Sequence, residues 1–136
     1  MSQQSDGSFK PNGAGFGRLF KATKCSFLGF QAAFKHESAF RQELLICAIL
    51  FPFSFYLASS LSHWVLLIST LLLLLMVELI NSAIEAITDR VSTDYHVLSG
   101  RAKDTASAAV FLAIVIMKLI WAAALFEKMG WLDGLF

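Results

Sequence analysis

Acidic side chains recur along one face of a long apolar stretch of the sequence. At about 100° of rotation per residue, Glu78, Ser82, Glu85 and Asp89 share one helical face, and Asn81 lies at its edge. A carboxylate within a membrane-spanning helix costs about 2.5–3.5 kcal/mol on insertion scales, so acids retained there are functional by default. The pattern therefore indicates a polar site inside an apolar helix bundle.

Three kinds of function are consistent with such an acidic face. The acids could serve a reaction at the membrane surface, they could form a proton or cation pathway, or they could clamp helices together in an assembly. The sequence has no GxxxxGK[ST] motif and no protein-kinase motif set, so any nucleotide site must be of a non-standard kind.

Glu37 is a second acidic candidate, just before the first apolar stretch. Its spacing to Arg41 alone predicts an ordinary helical ion pair. Its predicted position is on the same side of the membrane as Glu85 and Asp89. Two carboxylates that converge there could share Mg²⁺, which takes one or two carboxylates together with phosphate oxygens. The expected loop that follows Arg90 adds basic groups that could meet phosphate charge, Arg101 and Lys103.

The composition indicates one small integral membrane domain. Of the 136 residues, 57% are apolar and 15% are charged, whereas soluble domains have about 25% charged residues. The net charge of +1 gives no support for nucleic-acid binding. Because a bilayer core needs about 20 helical residues, we expect an all-α protein with three transmembrane helices, near residues 43–60, 64–89 and 105–127.

An amphipathic helix is predicted before these spans, at about residues 16–40. One face carries residues at alternating spacings of four and three: Phe16, Phe20, Thr23, Phe27, Phe30 and Phe34. A basic helix of this kind usually lies in the membrane interface, although packing on a partner protein is the alternative. Residues 1–15 predict a flexible N-terminus, and residues 128–136 a short C-terminal tail. Lys and Arg cluster before the first span and between the second and third, which predicts a cytoplasmic N-terminus.

The motifs around the acidic face resemble those of the prokaryotic diacylglycerol kinase family, over about residues 16–127. The similar runs are AFRQE from Ala39, ELINSAIEA from Glu78, Asp89-Arg90, Tyr95-His96 and LSGRAKD from Leu98. The resemblance implies a homotrimer of three-span protomers with an N-terminal surface helix. It also implies phosphorylation of diacylglycerol to phosphatidate at the bacterial inner membrane, with ATP as co-substrate and Mg²⁺. Undecaprenol kinase of the same superfamily is the alternative within this resemblance, and a small ion-conducting membrane protein is the alternative outside it.

The resemblance also implies roles for individual residues. Glu78 resembles the catalytic base, Asn81 looks like its support, and Glu37 and Glu85 look like the metal-binding acids that hold the nucleotide. Other positions similar to nucleotide contacts are Arg18, Cys25, Asp94, Tyr95, His96, Lys103 and Asp104. Positions that resemble lipid-substrate contacts are Arg18, Ala39, Phe40, Arg41, Gln42, Glu43, Glu78, Asn81 and Ser107.

Two residues depart from the family pattern. Cys25 stands where some relatives have a Tyr. Lys118 lies inside the third predicted span, where relatives can be apolar, so we expect it either to snorkel or to pair across protomers.

Overall fold

The computed structural model describes residues 16–91, 94 and 96–131, and the regular secondary structure of this part is α-helical throughout. Four helices follow one another along the chain. They are α1 (Phe16–His36), α2 (Ser38–Leu57), α3 (Leu61–Val91) and α4 (Val97–Lys128).

Three of these helices, α2, α3 and α4, are long and apolar enough to cross a membrane. The predicted all-α fold with three spans is therefore confirmed. With 31 and 32 residues, α3 and α4 are each about 47 Å long, so both are longer than a bilayer core of about 30 Å. Their ends therefore have the length to extend beyond the hydrocarbon.

The boundary between α1 and α2 lies at Glu37. This residue has extended backbone angles (φ −104°, ψ 114°) and is the N-cap of α2. Helix α1 consequently ends at His36 rather than near residue 40, and α2 begins at Ser38 rather than near residue 43. Arg41 closes the junction, because its Nη1 donates hydrogen bonds to the carbonyl oxygens of Phe34 (2.9 Å) and Lys35 (3.3 Å).

The segment that contains Lys103 is helical, whereas the sequence predicts a loop up to residue 104. Helix α4 begins at Val97. His96 caps it, because the His96 Nδ1 accepts a hydrogen bond from the backbone N–H of Leu98 (3.2 Å). A helix can start this early because the cap satisfies one of its free N–H groups. Lys103 is therefore held on a regular helix.

A short turn at residues 58–60 joins α2 to α3. The Ser60 hydroxyl accepts a hydrogen bond from the backbone N–H of His63 (3.1 Å), as a helix N-cap does. Near the same end, the indole N–H of Trp64 donates to the Ser54 hydroxyl (3.0 Å), which ties α3 to α2. Helix α2 continues past Pro52 to Leu57.

The antiparallel pair of α3 and α4 is the centre of the bundle. Its buried contacts come mainly from small and aliphatic residues, namely Leu67, Leu71, Leu74, Ala113, Met117 and Ala124. A buried hydrogen bond from the Trp121 indole N–H to the Thr70 hydroxyl oxygen (3.0 Å) fixes the register of the two helices. In the membrane, this hydrogen bond satisfies the indole N–H and the hydroxyl group, neither of which could form hydrogen bonds with hydrocarbon.

Trp121→Phe should destabilise the protein by about 1–2 kcal/mol, because it removes this hydrogen bond and part of a buried ring. The measurement is unfolding in mixed detergent micelles, monitored by circular dichroism. Trp131→Phe is the control, since Trp131 is 62% exposed, and it should change the unfolding free energy by less than about 0.5 kcal/mol. Equal losses for the two variants would contradict the assigned role of Trp121.

Candidate functional site

Glu78 is the most deeply buried acid of the described chain, with 2% of its surface exposed. Helix α3 places Asn81 and Glu85 on the same side, one and two turns further along. The Asn81 side-chain amide donates a hydrogen bond to Glu85 Oε1 (3.3 Å). The predicted acidic face is therefore directed into the bundle at Glu78 and becomes partly exposed at Glu85.

Two further acids lie near Glu78 from other elements. Glu37 is half-buried at the junction of α1 and α2, and its charge acts on Glu78 together with that of Glu85. Glu43 projects from α2, is 8% exposed and experiences the charge of Glu78. These four residues, Glu37, Glu43, Glu78 and Glu85, are called the acidic cluster below.

Two buried acceptor atoms, one in the acidic cluster and one on the neighbouring Asn81, have no hydrogen-bond donor among the described residues. They are Glu43 Oε2 and Asn81 Oδ1. A buried acceptor that stays unsatisfied costs about 1–3 kcal/mol. Because both atoms are acceptors, the group that suits them must carry a donor, such as a hydroxyl group. A hydroxyl group could satisfy one of the two acceptors.

An apolar cleft of about 560 Å³ lies beside the acidic cluster, between α1 and α3. Its wall is made mostly of small and apolar side chains, including Gly29, Ala33 and Ala83, and Glu37 stands at one end. A second apolar cleft of about 590 Å³ lies along α1, α2 and α3, lined by Phe34, Phe40 and others. Clefts of this composition can hold hydrocarbon chains, and the first of them can do so beside Glu37.

Lys103 brings a positive charge to the same region. Its ammonium group donates a hydrogen bond to the Asp89 carboxylate, which links α4 to α3, and it also interacts with the charge of Glu85. The pair is partly exposed, so it contributes little to stability. An ammonium group with three donors at the mouth of an acidic cluster is suited to bind phosphate oxygens.

A divalent metal would depend on Glu37 and Glu85 together with oxygens from another molecule. Within the residues that the structure describes, no three His, Cys, Asp or Glu side chains converge as metal ligands. Mg²⁺ does not need such a set, because it is commonly bound by one or two carboxylates plus substrate phosphates. The donor set therefore fits a magnesium ion that arrives with a phosphate compound.

Several other predicted residues lie around this site without a direct tie to it. Arg18 and Cys25 are exposed on α1, and none of the hydrogen bonds described in the structure joins them to the acidic cluster. Asp104 and Ser107 are exposed on α4, and Asp104 lines a groove on the outer surface of that helix.

The 39–43 segment is divided by its helical geometry. Phe40 and Glu43 point inward, with Phe40 2% exposed, whereas Ala39, Arg41 and Gln42 are exposed. Asp94 and His96 are exposed near the start of α4. Tyr95 lies outside the described residues.

Glu43 is the residue whose position the residue pattern alone did not reveal. The resemblance implies that it is a lipid position, whereas the residues alone indicate only the acids of α3 and Glu37. A signal was present, because Phe40, Glu43 and Cys47 have the spacing of one buried helical face. An acid at an inward position of a membrane helix is the feature that identifies it.

Comparisons with known proteins identify similar sequences along most of the chain. The family model for prokaryotic diacylglycerol kinase matches residues 24–125. A diacylglycerol kinase of Haemophilus influenzae is 45% identical over 112 residues, which are 82% of this chain and 95% of that protein. A diacylglycerol kinase of Escherichia coli is 43% identical over 119 residues (88% and 98%). One from Pseudomonas aeruginosa is 48% identical over 111 residues (82% and 90%).

Proposed function

This chain belongs to the prokaryotic diacylglycerol kinase family, and we propose that it transfers the γ-phosphate of ATP to diacylglycerol, which yields phosphatidic acid. The observation that supports this reaction best is the burial of Glu78 among acids and acceptor groups, together with an apolar cleft between α1 and α3 that is lined by Glu37. A substrate that is both an alcohol and a lipid matches the two parts of this site.

Glu78 is the proposed general base. The apolar cleft holds an acyl chain, so that the free hydroxyl group of the lipid lies at the acidic cluster. Glu78 accepts the hydroxyl proton as the lipid oxygen attacks the γ-phosphorus, the bond to the β-phosphate oxygen breaks, and ADP leaves. Because the hydroxyl group has a single O–H, it donates to Glu78 before the reaction, and Glu43 and Asn81 remain predicted lipid contacts.

Charge neutralisation is the second requirement of phosphoryl transfer. Glu37 and Glu85 would hold Mg²⁺, whose chemistry is to screen the negative charge of the ATP phosphates. Lys103 donates to a phosphate oxygen, and Asp89 keeps its ammonium group at the mouth of the site. Arg18, Cys25, Asp94, Tyr95, His96 and Asp104 remain predicted nucleotide contacts.

The proposed reaction takes place at the cytoplasmic face of the bacterial inner membrane, where ATP is available. The three spanning helices establish a multi-pass membrane protein. The excess of Lys and Arg before α2 and between α3 and α4 supports a cytoplasmic N-terminus. A homotrimer is the proposed assembly. The exposed positions Arg18 and Ser107 remain predicted lipid contacts.

Glu78→Gln should reduce turnover by at least about 10²-fold, because a carboxamide cannot accept the hydroxyl proton. The measurement is transfer of label from radiolabelled ATP to diacylglycerol in mixed micelles, with assembly checked by gel filtration. Glu127→Gln is the matched control, since Glu127 is an exposed acid at the opposite end of α4. A well-assembled Glu78→Gln protein with near-normal turnover would refute the proposed base.

Glu85→Gln should raise the Mg²⁺ concentration needed for half-maximal activity by about tenfold or more, because one of two carboxylate ligands is lost. The same labelling assay, titrated with MgCl₂ at constant free ATP, measures this change. Glu127→Gln should leave the titration unchanged. A normal Mg²⁺ dependence of the Glu85 variant would count against the metal assignment.

The lipid substrate is tested by direct comparison of two alcohols. The purified protein should label diacylglycerol in preference to undecaprenol when both are present in the same micelles with radiolabelled ATP. The products are separated by thin-layer chromatography. Preferential labelling of undecaprenol would contradict diacylglycerol as the substrate and would favour the alternative, an undecaprenol kinase of the same superfamily.

A further inference from the structure

The α2–α3 turn and the end of α4 meet at the end of the bundle opposite the acidic cluster. There the ammonium group of Lys128 lies over the ring of Tyr56, 4.9 Å from its centroid, which brings α4 close to α2. The exposed side chain of Glu127 approaches α3 at the same place. Its Oε2 lies 3.8 Å from the Nδ1 of His63, a side chain that is only 14% exposed. The proposed reaction uses none of these groups.

The turn holds His63 in its neutral form. The backbone N–H of Ser59 donates a hydrogen bond to His63 Nδ1 (3.3 Å), and the Ser59 hydroxyl oxygen lies 2.9 Å from the same nitrogen. Because a backbone N–H can only donate, Nδ1 must offer a lone pair, so the imidazole carries its single proton on Nε2. Nδ1 and the Glu127 carboxylate are then two acceptors 3.8 Å apart, with no hydrogen bond between them.

A proton on Nδ1 would exchange one of these contacts for the other. Once Nδ1 carries a hydrogen, it can no longer accept from the Ser59 N–H, and it becomes a charged donor. A hydrogen bond between a charged donor and a carboxylate is about twice as strong as one between neutral groups. Glu127 is exposed and lies within 4 Å, so a change of its side-chain rotamer is enough to complete that bond.

We propose that His63 is a pH-dependent link between the α2–α3 turn and the end of α4. At neutral pH its Nδ1 accepts from Ser59, and in acid it donates to Glu127, so that protonation ties α3 to α4. This contact between His63 and Glu127 is called the acid link below. It does not rest on the proposed function.

The other titratable groups at this end of the described chain are Tyr56 of α2 and Lys128 of α4. A phenol and an ammonium group ordinarily keep their charge between about pH 5 and 8, the range in which an imidazole ordinarily titrates. The pH response in this range therefore comes from His63. The positive charge of Lys128 disfavours a second cation nearby, so the Glu127 carboxylate has to supply the compensating charge.

Acid should stabilise the folded protein through the acid link. The link forms only when His63 is protonated and Glu127 is ionised, and only the folded chain holds the two side by side. Its contribution is therefore present in acid and is lost as the pH rises through the titration of His63. In the proposed orientation of the chain, this end of the bundle is on the non-cytoplasmic side of the membrane, so the link responds to the pH there.

Nuclear magnetic resonance of the full chain in detergent micelles tests the exchange of contacts. Between about pH 8 and about pH 5, the amide signal of Ser59 and the side-chain carboxyl signal of Glu127 should both move together with the ¹⁵N signals of His63. His63→Gln identifies the imidazole signals by their loss, and it should abolish both responses. A Ser59 amide or a Glu127 carboxyl that stays unchanged while His63 titrates would overturn the proposal.

Thermal unfolding, monitored by circular dichroism, measures the stability that the acid link contributes. On acidification from about pH 7.5 to about pH 5.5, the melting temperature of the unmodified protein should gain about 1–4 °C relative to His63→Gln and to Glu127→Gln. The double variant should respond like either single variant, because both remove the same contact.

His36→Gln is the matched control, since it removes an exposed histidine at the other end of the bundle, and it should keep the response of the unmodified protein. Equal responses of the unmodified protein, His63→Gln and Glu127→Gln would contradict the acid link. Neither measurement uses turnover, so absent lipid labelling with an intact pH response would contradict the proposed reaction alone.

Discussion

The energetic cost of a carboxylate in a membrane-spanning bundle is the constraint on which this structure depends. Glu78 and Glu43 are almost completely buried, and each such acid costs about 2.5–3.5 kcal/mol on insertion scales. Their mutual repulsion adds to that cost. This cost is offset by the part of the α3–α4 pair nearer the α2–α3 turn, which is a closely packed apolar core. In that core the Trp121 indole N–H and the Thr70 hydroxyl are hydrogen-bonded to each other. The apolar packing of one part of the bundle thus stabilises the part that contains the buried acids.

The break between α1 and α2 has several consequences for the site. The extended backbone at Glu37 lets α1 turn away from α2, and it presents this carboxylate at the end of the cleft between α1 and α3. The spacing alone predicts an ion pair between Arg41 and Glu37. The structure differs, because the Arg41 guanidinium donates to the last carbonyl oxygens of α1. The junction therefore leaves Glu37 available for other interactions while the end of α1 stays satisfied.

Periodicity was sufficient to predict the number of spans and the acidic face of α3. Both depend on local sequence, since apolar runs of about 20 residues and a repeat of 3.6 residues are visible without any partner helix. The positions of the helix ends were harder to predict from the sequence. The start of α4 depends on the His96 cap, and the end of α1 depends on the contacts of Arg41, so neither follows from hydrophobicity.

The composition of the site could be predicted only in part for a related reason. Glu78 and Glu85 belong to one helix, and their spacing predicts a shared face. The position of Glu43 opposite Glu78 depends on how α2 packs against α3, which is set by contacts such as that of Cys47 with Leu71. Resemblance to the family supplied this residue, and the spacing of Phe40, Glu43 and Cys47 predicts only that it faces inward. The two unsatisfied acceptors became visible only with side chains in place.

The arrangement of polar groups favours a lateral reaction site over a path through the membrane. An ion pathway along the acidic face would have to continue beyond Glu78 towards the α2–α3 turn. In the described protomer, that direction is filled by Leu74, Leu71 and Leu67, whose exposed fractions are 4% or less. The apolar cleft instead lies between α1 and α3, at the side of this packed core. Because phosphoryl transfer requires mainly positioning and charge neutralisation, the proposed reaction needs no polar path across the bundle, only a few acids and a lysine at one level.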